Sequence, residues 1–293
     1  MMQRRDSHSG SELAAAPQAQ SASALVQKLP VLLYHSISRT PRPAPFEYLV
    51  ISPETFEAQI RGLSRAGYSS IRAPDILRWQ REGTPLPAKP VLITFDDAFV
   101  ELAERAFPIL GRYGFTATVF VITGLSGAQG SFEGRRVLTL EQIRHWARQG
   151  IEFGSHTRTH PDLTALDSSA LEREIAGSAD DLRAILGAPV TSFAYPYGRL
   201  TDSVRRVVER FYGAAFTCEE AIDDQATNSF LLRRTIVNPA DTAPEFSARL
   251  RYGRNSLRHF FKPYRVWKRL SGRVAARLTA RNFRASSPRI REG

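Results

Sequence analysis

Two adjacent carboxylates, Asp96 and Asp97, close the apolar run Val91-Leu92-Ile93-Thr94-Phe95. A second run, Ile151-Glu152-Phe153, leads into Gly154-Ser155-His156-Thr157-Arg158-Thr159-His160. Paired carboxylates and paired histidines behind hydrophobic runs are the ingredients of a hydrolytic metal site. On a helical turn, a spacing of four brings both imidazoles to one side. Two histidines with one carboxylate leave coordination positions open for water and substrate. Carboxylates as close as Asp96 and Asp97 repel each other unless a cation intervenes or one is protonated. One as metal ligand and the other as base toward a water resolves that conflict. The plainer readings are two polar loop histidines and an aspartate capping the next helix. The cap accounts for one carboxylate but hardly for both.

Each of these residues stands where a predicted strand ends. His35 follows Pro30-Val31-Leu32-Leu33-Tyr34, and Tyr195-Pro196-Tyr197-Gly198 follows Val190–Ala194. Alone, His35 reads more simply as a hydrogen-bonded core residue. The turn at Pro196-Tyr197-Gly198 can be only a turn, or can aim backbone N–H groups at a developing oxyanion. Caps and apolar spacing predict a helix opening at Ser52-Pro53, then helices over Ala98–Tyr113, Leu140–Arg148, Ser168–Leu186, Asp202–Phe211 and Ala243–Tyr252. Short apolar stretches predict further strands at Ser69–Ile71, Thr116–Ile122, Gly213–Thr217 and Leu231–Val237. The glycine-rich stretch Gly124–Gly134 reads as a loop. Alternating strand and helix imply an α/β fold with parallel strands, either doubly wound or a barrel. Functional types at four scattered strand ends favour a (β/α) barrel, whose mouth gathers strand C-termini.

The net charge of +11 is localised. Residues 251–293 hold 13 Lys and Arg against one acid, whereas the remainder, with 27 basic and 28 acidic residues, is nearly neutral. The extension alternates basic and apolar residues, among them Leu257, Phe260, Phe261 and Trp267. It reads either as a basic amphipathic segment suited to an anionic membrane surface or as a solvated extension. Nucleic-acid binding lacks an accompanying recognition motif. Residues 1–27, rich in Ser, Ala and Gln, are predicted to be disordered. They lack a signal-peptide pattern, which predicts a cytoplasmic protein, with the membrane's inner face as a docking place. The single cysteine, Cys218, excludes an internal disulfide and leaves any metal to histidines and carboxylates.

Thr94-Phe95-Asp96-Asp97, His156-Thr157-Arg158-Thr159-His160 and Phe193-Ala194-Tyr195-Pro196-Tyr197-Gly198 together resemble the polysaccharide deacetylase family with its NodB-type homology domain. The resemblance covers about Leu29 to Ala240. It implies a distorted (β/α) barrel of about seven parallel strands, with a catalytic domain over 28–250. It also implies removal of acetyl groups from sugars with one divalent metal, commonly zinc. By position, Asp96 matches the family's base; Asp97, His156 and His160 match its metal ligands; Tyr197, after Pro196, matches the residue whose N–H binds the oxyanion. Two departures stand out. The family's third motif has an Arg two residues before its Pro, where this chain has Ala194, and no replacement is evident. The late Leu-x-His motif, whose His is the general acid, is missing near Leu231–Val237. Leu33-Tyr34-His35 is such a motif at the first strand. In a closed barrel the first and last strands are neighbours, so His35 could fill the acid's place. This order resembles the branch containing the poly-N-acetylglucosamine deacetylases. The implied substrate is an acetylated amino-sugar glycan, polymeric or lipid-linked. The alternatives are a different small acyl group, such as formyl, or a carbohydrate-binding protein that keeps the fold without catalysis.

Overall fold

The computed structural model describes residues 27–42, 46–127 and 129–254. Nearly all of the N-terminal segment, Pro43–Pro45 of the proline-rich loop, and the basic extension from residue 255 lie outside these residues. No helix among the described residues is long and apolar enough to cross a membrane.

In chain order the first half comprises β1 (Val31–Tyr34), β2 (Ser36–Ile37), β3 (Val50–Ile51), α1 (Pro53–Arg65), β4 (Ser69–Ile71), α2 (Ala73–Glu82), β5 (Pro90–Phe95), α3 (Phe107–Arg112) and β6 (Thr118–Val121). A short hairpin, β7 (Ser131–Phe132) and β8 (Arg135–Arg136), leads to α4 (Leu140–Arg148) and β9 (Glu152–Ser155). Then come α5 (Ser168–Leu186), β10 (Ser192–Ala194), α6 (Asp202–Phe211), β11 (Ala214–Phe216), β12 (Thr235–Ile236) and α7 (Ala243–Tyr252). Helix starts follow local chemistry. Ser52 accepts from the Thr55 N–H with Pro53 beside it, Thr139 and Gln142 cap reciprocally, and Asp167 accepts from Ala170.

Seven parallel strands run in the order β11-β10-β9-β6-β5-β1-β12, with β4 added beside β5. The segment before β12 bridges the outermost strands. The Leu232 N–H donates to the Ala215 carbonyl (3.0 Å), and the Thr217 N–H donates to that of Leu232 (2.7 Å). The sheet thus curls into a distorted (β/α) barrel, and the first and last strands are neighbours, with Leu33 opposite Ile236.

The period of two along each strand sorts the core. Val31, Leu92, Phe120, Ala194, Phe216 and Leu232 pack together inside the barrel, where α2 brings Ile76 and Trp79 against them. Their neighbours Leu32, Tyr34, Ile93, Phe95, Val119 and Val121 face outward beneath the helices, packing against Phe56 and Ile60 of α1 and Ile109 of α3. Phe193, Tyr195 and Ala215 do the same under Leu171 and Ile175 of α5 and Val204 and Val208 of α6. Extended past the strand ends, the inward parity lands on His35, Asp96, His156 and, through Leu232, on Arg234.

Two predicted elements differ. The helix predicted to open at Ala98 begins with a π-helical turn at Leu102–Ala106, before α3. Asp97 (φ 70°) and Ala98 (φ 51°) are left-handed, a conformation incompatible with helix. Neither aspartate caps a helix, since Glu101 holds the N-cap position. The predicted loop Gly124–Gly134 contains the first strand of the β7–β8 hairpin.

Candidate active site

Parity alone carries Asp96 into the mouth of the barrel but would send Asp97 outward. The left-handed turn at Asp97 reverses this and leaves both carboxylates in the mouth. Strained φ at non-glycine residues costs roughly 1–3 kcal/mol each and clusters at functional sites. Here Thr157 (φ 70°) and His160 (φ 61°) repeat the device after β9. The His156–His160 segment is therefore not the helical turn that the spacing of four suggests. The two left-handed residues fold it so that the imidazoles still meet, 4.7 Å between ring centroids.

Asp97, His156 and His160 each offer a donor atom within 4.8 Å of the others. The Asp97 Oδ1 lies 3.8 Å from the Nε2 of both histidines. His156 Nδ1 lies 2.8 Å from the Ala194 carbonyl. That carbonyl can only accept, so Nδ1 carries the proton and the Nε2 lone pair faces Asp97. The Asp97 Oδ1 is buried with no hydrogen-bond partner among the described residues, a costly state that a cation relieves. Burial, and then the charge of Asp96, push Asp97 up to about 8, against Arg42 and Arg234. Burial lowers His156, and it lowers His160, with the help of His156, to about 3. Neutral imidazoles and a carboxylate without a partner fit one divalent ion, with two nitrogens and one oxygen as ligands.

Asp96 is held differently. Arg234, fully buried, forks onto it, with Nη1 2.6 Å from Oδ1 and Nη2 2.9 Å from Oδ2. Arg234 is fixed in turn by its Nε donating to the Thr217 carbonyl (2.8 Å) and lies 5.5 Å from the Phe120 ring centroid. Burial pushes the Asp96 carboxyl up. Arg234 and His156 outweigh that and hold it well below the usual carboxylate range. Arg234 thus occupies the place left open by Ala194: a guanidinium 138 residues further along the chain orients the Asp96 carboxylate. The sequence carried a signal in Leu231-Leu232-Arg233-Arg234-Thr235-Ile236, where a charge falls at the inward parity of an apolar strand.

His35 follows β1, whose Tyr34 pairs with Phe95, and the Asp96 N–H donates to the Tyr34 carbonyl (3.0 Å). The register therefore sets His35 beside Asp96. Burial lowers His35 to about 4, with Arg234 and His156 adding to the effect and Asp96 opposing it. Pro196 is buried, and Tyr197 is left-handed (φ 58°) and over half exposed at the rim. The Tyr197 ring packs edge-on to His160 (4.7 Å), and Phe132 of the hairpin packs against the same imidazole (4.9 Å). Arg135 tethers the hairpin by donating to the Thr40 carbonyl (2.6 Å) and pairing with Glu101, which also accepts from Ser36 Oγ. The mouth therefore brings together all seven residues singled out in the sequence and adds Arg234.

Residues 83–213 match the family described as polysaccharide deacetylase. The chain is 29% identical over 222 residues to YxkH of Bacillus subtilis (strain 168), covering 75% of each. It is 26% identical over 200 residues to the poly-beta-1,6-N-acetyl-D-glucosamine N-deacetylase of Staphylococcus aureus (strain MRSA252), covering 64% of this chain and 68% of that one. Among solved structures it resembles the Streptococcus pyogenes deacetylase PplD, in complex with acetate. The TM-score is 0.69 at 29% identity, over 77% of this chain and 98% of the other.

Proposed function

We propose that the chain, which resembles the polysaccharide deacetylase family through residues 83–213 and its similarity to these relatives, acts as a metal-dependent hydrolase of that family. It removes N-acetyl groups from amino sugars of a polymeric or lipid-linked glycan and releases acetate. The observation that carries this is the division of labour at the β5 end: Asp96 locked by Arg234, Asp97 turned toward His156 and His160.

Asp97, His156 and His160 are the proposed ligands of one divalent ion, with zinc favoured by the donor set. When bound, such an ion supplies Lewis acidity toward the acetyl carbonyl and lowers the pKa of a water. Asp96, ionised and aimed by Arg234, accepts the proton of the attacking water. The main-chain N–H of Tyr197, positioned by Pro196, donates to the oxyanion that forms at the acetyl carbon. His35 is neutral at rest and acts as acid only once a proton has entered the site. The water proton accepted by neighbouring Asp96 is the nearest source. His35 passes a proton to the departing amine, and acetate and a free amino sugar result.

The test is acetate release from N-acetylglucosamine oligomers and from lipid-linked acetylated sugars, with and without chelator. Chelator is expected to abolish release and zinc to restore it. A metal-loaded protein that releases acetate from no acetylated sugar would sink the reading in favour of glycan binding alone. Formate release from a formylated sugar would redirect it to another acyl group. The basic residues of 254–293 suit contact with anionic lipid. Co-sedimentation with phosphatidylserine vesicles, lost on truncation after residue 254, checks that assignment.

A further inference from the structure

We propose that Glu174, on α5 and outside the mouth, is a positioning residue for His160 and thereby sets how tightly the Asp97-His156-His160 centre holds its ion. The proposal rests on the metal-centre reading above.

The loop that carries the two histidines is poor at holding its own shape. Thr157 is β-branched and left-handed, and His160 is left-handed three residues later. Neither conformation is one the residue adopts freely. Two local bonds assist: the Thr157 N–H donates to Ser155 Oγ (3.1 Å), and the His160 N–H to Thr157 Oγ1 (2.9 Å). The neighbouring loop contributes from one side, where Thr123 and Gly124 donate to the carbonyls of Thr157 and Arg158 (3.0 and 2.9 Å). The Arg158 guanidinium reaches Asp181 of α5 (2.9 Å), while the backbone N–H groups of Arg158 and Thr159 converge on one side chain. Glu174 Oε2 accepts from the N–H groups of both Arg158 and Thr159, each at 2.9 Å, and its Oε1 accepts from Thr159 Oγ1 at 2.7 Å.

A carboxylate receiving two successive backbone N–H groups satisfies the donors of an irregular turn as an anion in a nest does. It does so from a long helix that packs against β9, since Ser178 on α5 accepts from Ser155 Oγ (2.8 Å). The ligand loop is therefore fastened to α5 at both ends of its first turn. Groups that hydrogen-bond metal ligands directly typically contribute about 10–100-fold to metal affinity. Glu174 acts one bond further out, through the backbone between the two histidines.

The measurement is zinc affinity of the full chain, by competition with a chromophoric chelator after stripping. Glu174→Ala is expected to weaken binding ~10-fold. Glu174→Gln should stay within about threefold. Its amide oxygen can accept from both N–H groups while the NH2 donates to the rotated Thr159 hydroxyl. Glu172→Ala, which removes the Arg210 pair on the same helix, should leave zinc binding unchanged and controls for general loosening of α5. Should Glu174→Ala not fold, Glu174→Asp, one methylene shorter, replaces it and is expected to bind more weakly than wild type. Wild-type affinity in the alanine or aspartate variant, or an equal loss in Glu172→Ala, overturns the role of Glu174. Wild type binding zinc no better than His160→Ala overturns the centre itself, and the proposal falls with it.

Discussion

Arg233 and Arg234 are neighbours in sequence, and each pairs with an aspartate, yet the two pairs do opposite things. Arg234 points into the barrel and forks onto Asp96 with no exposure at all. Arg233 points outward, its side chain 30% exposed, and reaches Asp223 through Nε (2.8 Å) and its own N–H (2.9 Å). Asp96 ends well below the usual carboxylate range. Asp223, also buried, is pushed by burial up to about 6 despite Arg233. Part of the physical difference is screening, since a guanidinium that water reaches offsets less of a carboxylate's desolvation than one sealed in beside it. His156 also lowers Asp96, whereas Asp224 raises Asp223. The outer pair is a fastener. Asp223 exchanges backbone bonds with Leu29 at the entrance to β1 and helps hold the closing segment in place. The inner pair sets the charge state of the proposed base.

The comparison can be broken most severely at Asp96. Asp96→Asn keeps the shape and the Arg234 contact in part but removes the base. Turnover is expected to fall ~10²–10⁴-fold, with zinc content unchanged by metal analysis. Loss of zinc in that variant would exchange the roles of the two aspartates. Arg234→Met comes next. It leaves a buried carboxylate uncompensated, at a stability cost of about 3–5 kcal/mol, measured by urea unfolding. Because Arg234 lowers the Asp96 pKa, its removal must raise it, and the acid limb of kcat/KM is expected to move to higher pH. An unmoved limb would separate Arg234 from the base. Asp223→Asn should have the smallest effect, confined to stability and with no change in the rate profile. The folded-state pKa of Asp223 is raised, so the folded chain binds that proton more tightly than the unfolded chain does. Its contribution to stability is present below the unfolded value and lost as pH rises from about 4 to about 6. The Tm of Asp223→Asn relative to wild type should therefore climb over that window. A flat difference would remove the burial argument.

Much of the site was legible because strand periodicity and residue type coincide at strand ends. Asp96, His156 and His35 fall on the inward parity of their strands, and a buried polar group at such a place needs a partner or a task. Helix limits were legible where caps are chemically explicit, as at Ser168–Leu186 and Leu140–Arg148. The turns that differ from the sequence reading at the two ligand-bearing strand ends share one cause. The turns at Asp97-Ala98 and at Thr157 and His160 place non-glycine residues at positive φ, which no local preference announces. Tertiary bonds impose them: the Ala98 carbonyl accepts from Leu138, and Glu174 gathers the N–H groups of Arg158 and Thr159.

Residue types, spacing and strand parity by themselves determined that the chain alternates β and α, that its chemistry gathers at strand C-termini, and that Asp96, Asp97, His156 and His160 form one set. These are local properties, carried by each segment in its own period. Which carboxylate turns toward the histidines was decided by the left-handed turn at Asp97. Which arginine replaces the one missing at Ala194, and that His35 stands beside Asp96, were decided by the pairing of β1 with β12 and β5. Arg234 meets Asp96 across 138 residues of chain, and only the three-dimensional register of β12 on β1 and β1 on β5 brings them together.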